Sequence, residues 1–294
     1  MGLIPLLLAL ALILPGEALA AGQRIALVIG NSDYPVRKLL NPVNDASDVA
    51  TLLVTKLGFA RDDVIVERDT NAEGQRRALA RFEQKLKTAP GAVGFFYFAG
   101  HGAQIAGRNY LLPAKNAIRS GEDAKALGLR VTDVLDAMRD GGASLMIVVL
   151  DACRDDPFPG GSRGSRGLQR ENPPNGSLIA YAAAAEGTAD DDERQRNGVY
   201  TRFLLRRLVE PGLTLEQVFK RVRGDVRQAT NGRQEPEVLL ALEGEQDFYF
   251  LGVTPDPRAD EESFWLQARQ LGSSEAYESY LAKYPRGRYG TPTK

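Results

Sequence analysis

The sequence predicts an α/β fold with a mostly parallel central sheet flanked by helices on both faces. Segments typical of strands alternate along the chain with segments of helical periodicity, which favours parallel strands joined by helices. Two continuous apolar runs, 93–98 and 145–150, are typical of strands buried on both faces. The 294 residues, 43% of them hydrophobic, are enough to bury a sizeable core.

The predicted elements follow one another in a regular order. Strands are predicted at 24–29, 64–66, 93–98, 145–150, 177–183 and 247–251. Helices are predicted at 44–58, 74–88, 131–139, 200–209 and 215–227, with Asn44 as the N-cap of the first. The segment 155–176 is rich in Pro, Gly, Ser and Arg and has no periodicity, so we expect a long flexible loop there.

The two ends of the chain are expected to lie outside the main domain. Residues 3–14 are almost wholly apolar and precede Ala18-Leu19-Ala20, a pattern typical of a signal peptide cleaved after residue 20. The apolar run is shorter than the roughly 20 residues of a spanning helix, so we expect a periplasmic or secreted protein without a stable membrane span. At the other end, 258–294 predicts a small helical extension, with helices at 261–271 and 275–284, that offers a surface for a protein partner.

Composition excludes several classes of function. The net charge is −1, from 37 basic and 38 acidic residues, which gives no electrostatic footprint for nucleic acid or for an anionic membrane. One cysteine and one histidine cannot form an internal disulfide or a His/Cys zinc site. No cofactor is therefore expected, although a metal site built from carboxylates stays open.

The single histidine and the single cysteine are candidates for nucleophilic catalysis. His101 and Cys153 each follow one of the two buried apolar runs, and ligands of open α/β sheets bind beyond the carboxyl ends of the strands. A free thiol has a pKa of about 8.5 and needs an imidazole nearby to form the thiolate at neutral pH. The backbone N–H groups of Gly102 and Cys153 are candidates for holding the oxyanion. The alternative for a lone cysteine is a buried small hydrophobic residue.

Several motifs resemble those of the caspase-like cysteine peptidases, the clan of caspases, metacaspases and paracaspases, and among them the bacterial metacaspase-like members. These motifs are FFYFAGHGAQ at 95–104, VVLDACR at 148–154, ALVIGNSDY at 26–34, NDA at 44–46 and GVYTRFLL at 198–205. His101 and Cys153 are 52 residues apart, close to the spacing of about 50 in caspases. The resemblance implies a caspase-like peptidase domain at 24–252 with a His101/Cys153 dyad, and therefore a cysteine endopeptidase.

The resemblance also implies a substrate preference. Caspases, which select aspartate, carry glutamine two residues before the cysteine, where this chain has Asp151. In metacaspases the matching aspartate and the aspartate of the NDA motif, here Asp45, line a pocket for arginine or lysine. Two carboxylates can hold a guanidinium through charge-assisted hydrogen bonds, so we expect polypeptide substrates cleaved after Arg, less often Lys. Asp45 can instead serve as an acid that stabilises a helix N-terminus.

Two further expectations follow from the same resemblance, and one alternative to a peptidase stays open. Self-processing within the 155–176 loop would occur at Arg163, Arg166 or Arg170, although basic loop residues are also commonly just solubilising. Calcium activation would need a carboxylate cluster, for which the acidic run 190–192 is a candidate, but a solvated loop explains that run better and no metal is assigned. The alternative to a peptidase is a catalytically silent caspase-like scaffold or interaction module.

Overall fold

A computed structural model describes residues 22–153, 168–183, 195–242, 247–252 and 257–290. Several sequence predictions therefore lie wholly or partly outside the described residues. These include the signal peptide at 1–20, the candidate cleavage sites Arg163 and Arg166, most of the 155–176 loop, the acidic run at 190–192 and the last four residues of the extension at 258–294. In the described part of the chain, no helix has both the length and the apolar character needed to cross a membrane.

The described residues form a mostly parallel sheet, as predicted. Its strands are β1 (Arg24–Gly30), β2 (Val64–Arg68), β3 (Val93–Ile105), β4 (Arg108–Leu111), β5 (Leu129–Arg130), β6 (Leu145–Cys153), β7 (Ser177–Tyr181) and β8 (Glu237–Ala241). The main strand order is β2-β1-β3-β6-β7-β8, in which the first five strands are parallel and β8 is antiparallel to β7. The small strands β4 and β5 extend from the end of β3.

Helices cover both faces of this sheet. They are α1 (Pro42–Lys56), α2 (Ala72–Lys87), α3 (Gly121–Leu127), α4 (Val131–Asp140), α5 (Val199–Leu208), α6 (Leu215–Ala229), α7 (Pro257–Leu271) and α8 (Ser274–Lys283). Apolar residues of α1, α5 and α6 join one core cluster, and those of α2 and α4 join the other. The prediction of a parallel sheet between two helical layers is confirmed.

The central strand β3 shows how the sheet divides the two cores. Phe95 and Tyr97 belong to the cluster on the α1/α5/α6 face, whereas Phe96 and Phe98 belong to the cluster on the α2/α4 face. Because successive side chains of a strand point to opposite faces, a strand buried on both sides must be apolar throughout. All four of these aromatic side chains are fully buried.

The first helix begins earlier than the sequence prediction placed it. Asn44 was expected to be the N-cap, but α1 starts at Pro42, a residue favoured in the first helical turn because it needs no N–H partner. The N-cap position is occupied by Asn41, whose side chain makes no capping hydrogen bond. The Asn44 side chain instead donates to the carbonyl oxygen of Arg196 at 3.2 Å.

The third strand is longer than predicted, and the last one lies elsewhere. The prediction ended the strand at Phe98, but β3 runs on to Ile105 because its second half pairs with β4. The predicted final strand at 247–251 is wrong, since Tyr249 makes only an isolated bridge to Thr214. The edge strand is β8, which periodicity does not reveal because most of its residues are only partly buried.

The two C-terminal helices pack on each other through aromatic side chains. The Trp265 ring stacks on the Tyr289 ring with centroids 5.3 Å apart and lies 5.1 Å from the ring of Tyr280. The Tyr280 hydroxyl donates to the buried carboxylate of Glu261 at 2.7 Å. Both helices were predicted, but the predicted starts, at 261 and 275, lie later in the chain than the observed starts at Pro257 and Ser274. A protein partner for them stays a prediction.

Two glycines of the described fold are expected to respond oppositely to alanine. Gly100 has φ +153°, and an added Cβ would overlap the Tyr34 hydroxyl and approach the Phe98 ring. Gly224 lies in α6 with nothing within 4 Å of an added Cβ. We expect Gly100→Ala to lower the free energy of unfolding by about 2 kcal/mol or more, and Gly224→Ala to raise it by about 1 kcal/mol. Urea unfolding of both variants measures this, and equal effects would contradict it.

Candidate active site

The pairing of β3 with β6 sets the geometry of the candidate site. The two strands are parallel neighbours, and their register places His101 opposite Cys153 and Ala99 opposite Asp151. Neighbouring strands lie about 4.8 Å apart, so the backbones of His101 and Cys153 are adjacent at the carboxyl end of the sheet. The candidate histidine and cysteine are thus paired residues of neighbouring strands, although 52 residues separate them along the chain.

The imidazole of His101 is buried against the segment 34–37. Its exposed fraction is 2%, and Nε2 lies 2.8 Å from the carbonyl oxygen of Arg37. The backbone N–H of His101 donates to the Tyr34 hydroxyl at 2.8 Å, and the centroids of the two rings are 4.4 Å apart. Because a carbonyl oxygen only accepts, the neutral imidazole carries its proton on Nε2.

The residues just before the segment 34–37 are hydrogen-bonded to Asp69, the residue that follows β2. The carboxylate of Asp69 accepts the backbone N–H groups of Ser32 and Asp33, each at 2.7 Å. Asp69 itself has φ +46°, a conformation rare for residues other than glycine. The Asn31 side chain donates to the carbonyl oxygen of Leu112 at 3.0 Å. These contacts fix the chain leading to Tyr34 and Arg37, and hence the imidazole.

Gly102 lies where two backbones approach closely. A Cβ on Gly102 would be 3.1 Å from the Cβ of Ala152 and 2.9 Å from Cδ2 of Leu168. The absence of a side chain therefore lets the chain beside His101 pack against the chain leading to Cys153. The binding of an oxyanion by the N–H groups of Gly102 and Cys153 stays a prediction.

The two candidate pocket aspartates flank a single glycine. Asp45 is 2% exposed, and its Oδ1 accepts the backbone N–H of Gly198 at 3.1 Å. A Cβ built on Gly198 would lie 3.3 Å from Oδ2 of Asp45 and 3.8 Å from Oδ2 of Asp151. The structure therefore brings Asp45, on α1, and Asp151, on β6, to the same point next to α5.

A chain of hydroxyl groups ends on Asp151. Thr201 donates to Oδ2 of Asp151 at 2.6 Å, and the Tyr97 hydroxyl lies 2.5 Å from that of Thr201. Burial raises the pKa of Tyr97 well above its usual value, and the charges of Asp151 and Asp45 raise it further. Burial, followed by the charge of Asp151, likewise raises the pKa of Tyr200. Both phenols thus stay protonated beneath the two carboxylates.

A family model described as Caspase domain matches residues 23–245. The chain belongs to the caspase-domain family. This membership supports a protease-type function in general. The match ends before α7, so the two C-terminal helices lie beyond it.

Two curated relatives are similar to this caspase domain. One is the human protein called mucosa-associated lymphoid tissue lymphoma translocation protein 1, 29% identical over 234 residues that make up 76% of this chain and 26% of the human protein. The mouse homologue of that protein is 28% identical over 239 residues, or 77% of this chain and 26% of its own length. The chain thus spans only 26% of the length of each relative.

Two other sequence predictions concern charged residues of this caspase domain. Arg170, a candidate self-cleavage site, forms an ion pair with Glu237 on the edge strand β8. No group of three or more His, Cys, Asp or Glu side chains suited to a metal ion occurs among the described residues. The run at 190–192, the calcium candidate, lies outside that part of the chain.

Sequence reasoning missed four residues that shape the candidate site. Tyr34 and the Arg37 carbonyl contact His101, while Gly198 and Thr201 contact the two aspartates. Tyr34, Gly198 and Thr201 lie within motifs that resemble the caspase-like peptidases, which was the available signal. Nothing in the sequence marks the Arg37 carbonyl, because every residue carries one.

The single imidazole of the chain makes its tautomer directly measurable. We expect the neutral His101 ring to be protonated on Nε2, because the Arg37 carbonyl oxygen can only accept a hydrogen bond. The ¹⁵N chemical shifts of the imidazole nitrogens identify the tautomer, and no assignment problem arises with one histidine. A dominant Nδ1–H form would contradict this geometry.

The buried phenols predict loss of stability in alkaline solution. The pKa of Tyr97 and that of Tyr200 are raised by folding, so above the ordinary tyrosine value of about 10 only the unfolded chain releases these protons. The free energy of unfolding should then fall by about 1.4 kcal/mol per pH unit for each tyrosine. Urea unfolding across this pH range measures the slope. Tyr97→Phe should reduce it, and an unchanged slope would contradict the assignment.

Proposed function

We propose that the protein is a cysteine endopeptidase that uses His101 and Cys153 as its dyad and cleaves after arginine, less often after lysine. The observation that carries this proposal is the β3–β6 register, in which His101 lies opposite Cys153. Membership of the caspase-domain family supports the same chemistry. No cofactor is part of the proposal.

The proposed reaction begins with proton transfer from the Cys153 thiol to His101. Since Nε2 is engaged by the Arg37 carbonyl oxygen, Nδ1 is the nitrogen that exchanges this proton. The thiolate attacks the scissile carbonyl carbon, and the N–H groups of Gly102 and Cys153 are proposed to bind the oxyanion. The protonated imidazole then gives its proton to the leaving amine. Water hydrolyses the resulting acyl-enzyme with His101 as the base.

The proposed preference for a basic residue rests on Asp45 and Asp151. Their Oδ2 atoms approach the same point beside Gly198, so a cation there meets two carboxylates at once. A substrate aspartate would be repelled at that point. The other role considered for Asp45, an acid at a helix N-terminus, is compatible with this one, because Asp45 lies in the first turn of α1.

Two further parts of the proposal concern processing. Self-cleavage with the same preference is proposed at Arg163, Arg166 or Arg170, of which the exposed Arg170 forms an ion pair with Glu237. Removal of residues 1–20 during export to the periplasm or the exterior is proposed from the apolar run and the small residues that follow it.

The test of the dyad compares wild type with Cys153→Ala and His101→Ala on reporter peptides ending in Arg, Lys or Asp. We expect wild type to hydrolyse the Arg reporter best and the Asp reporter not at all. Each substitution should lower kcat/KM for the Arg reporter by at least about 10³-fold, because members of a catalytic pair act as a unit. Reporter hydrolysis with and without calcium provides the measurement.

The matched control is Ser177→Ala, which removes a buried hydroxyl at the start of β7, where β7 pairs with Met146 at the opposite end of β6 from Cys153. It should retain wild-type turnover. Preference for the Asp reporter would overturn the pocket assignment. Absence of turnover by wild type under every condition would favour a catalytically silent scaffold instead.

A further inference from the structure

We propose that Gly198 and Thr201 determine the specificity of the pocket for arginine over lysine. Gly198 keeps open the gap between Asp45 and Asp151, and Thr201 is a positioning residue that fixes the orientation of Asp151. This inference rests on the proposed function in one respect, since it takes the gap as the place where the basic side chain of the substrate binds.

The gap is the space beside Gly198 that a Cβ atom would fill if the residue were not glycine. Apart from the two chain neighbours of Gly198, the described atoms within 4 Å of the position that a Cβ would occupy are Oδ2 of Asp45 at 3.3 Å and Oδ2 of Asp151 at 3.8 Å. Hydrogen bonds from charged N–H groups to carboxylates span about 2.7–2.9 Å. A cationic group near this position can therefore reach both carboxylates, whereas a methyl group would stand between them.

Thr201 restrains the second carboxylate. Its hydroxyl carries one proton, which it donates to Oδ2 of Asp151 at 2.6 Å. The 2.5 Å contact with Tyr97 must then use the phenol as donor, and burial together with the charge of Asp151 keeps that phenol protonated by raising its pKa. Thr201 is fully buried, so this direction of donation is fixed by the fold.

The position of Gly198 is held by the helix that carries Asp45. Polar residues of α1 and its N-cap bind the chain just before Gly198. Asn41 donates to the carbonyl oxygens of 195 and 196, and Asp48 pairs with Arg196 through two contacts of 2.8 and 2.9 Å. Asn197 also donates to Asp48 at 2.9 Å. The separation of Gly198 from Asp45 is therefore set by several contacts on one helix.

The shape of the gap favours a guanidinium. Arginine presents a planar fork of donors that can bind two carboxylates at once, whereas the lysine ammonium is a compact point charge that does not need both in a fixed orientation. Misplacing either carboxylate should therefore weaken arginine binding more than lysine binding. An unequal loss of arginine and lysine binding therefore distinguishes a specificity role of Gly198 and Thr201 from a role in supporting the fold.

The test measures binding without requiring turnover. The readout is the rate at which iodoacetamide alkylates Cys153, the single cysteine, which a ligand bound in the adjacent pocket is expected to lower. Nα-acetyl-arginine amide and Nα-acetyl-lysine amide are compared as protecting ligands for wild type, Gly198→Ala, Thr201→Val and Thr201→Ser. The kcat and KM values for the Arg and Lys reporters are determined in parallel.

We expect both Gly198→Ala and Thr201→Val to weaken protection by the arginine amide about tenfold or more, with a smaller change for the lysine amide. In turnover the loss should appear mainly in KM for the Arg reporter. Thr201→Ser, which keeps the hydroxyl, should restore most of the arginine preference. Ser177→Ala should lower stability through its lost hydrogen bond but leave the ratio of arginine to lysine protection at the wild-type value.

Two results would overturn the inference. One is arginine protection of Gly198→Ala and Thr201→Val equal to that of wild type, and the other is failure of the arginine amide to protect wild type at all. Failure of the proposed function is a separate observation, namely no hydrolysis of any reporter by wild type. Protection that is lost in the two variants would support the specificity role of Gly198 and Thr201 even then.

Discussion

The arrangement of the whole candidate site depends on the parallel pairing of β3 with β6. Because the register places His101 opposite Cys153, it also places Ala99 opposite Asp151, so one set of ladder hydrogen bonds aligns the candidate dyad and a pocket carboxylate. A shift by one residue would move every side chain of a strand to the other face of the sheet. The buried aromatic residues of β3 oppose such a shift, since successive ones belong to the cores on opposite faces of the sheet.

The same alternation explains why the acidic pocket lies on the α1/α5/α6 side. Ile147 and Val149 of β6 belong to the core on that side, and Asp151 continues their spacing of two residues. It thereby meets Thr201 of α5 and shares Gly198 with Asp45 of α1. Burying two carboxylates together is costly, and the fold offsets part of this cost with hydrogen bonds from the Gly198 N–H and the Thr201 hydroxyl.

Sequence reasoning could predict the features that local patterns encode. The apolar runs of β3 and β6 identified the central strands, and their position along the chain placed His101 and Cys153 near the same edge of the sheet. The edge strand β8 escaped prediction because its residues are only partly buried and so lack a clear alternation. The contacts of Tyr34, Arg37, Gly198 and Thr201 escaped because each joins elements that are distant in the sequence, where no local pattern reports the distance.

The two halves of the candidate site are built from different parts of the fold. His101 is held by the Tyr34–Arg37 side, which Asp69 ties to the end of β2, whereas the carboxylates are held by α1 and the start of α5. Two connections join these parts. Strand β3 carries both His101 and Tyr97, and the Ser32 hydroxyl accepts the backbone N–H of Val43 at the start of α1. Changes at Tyr34 or Asp69 should therefore act on the proton transfer of the dyad and so on kcat. Changes at Gly198 or Thr201 should act on the fit of the basic side chain and so on KM.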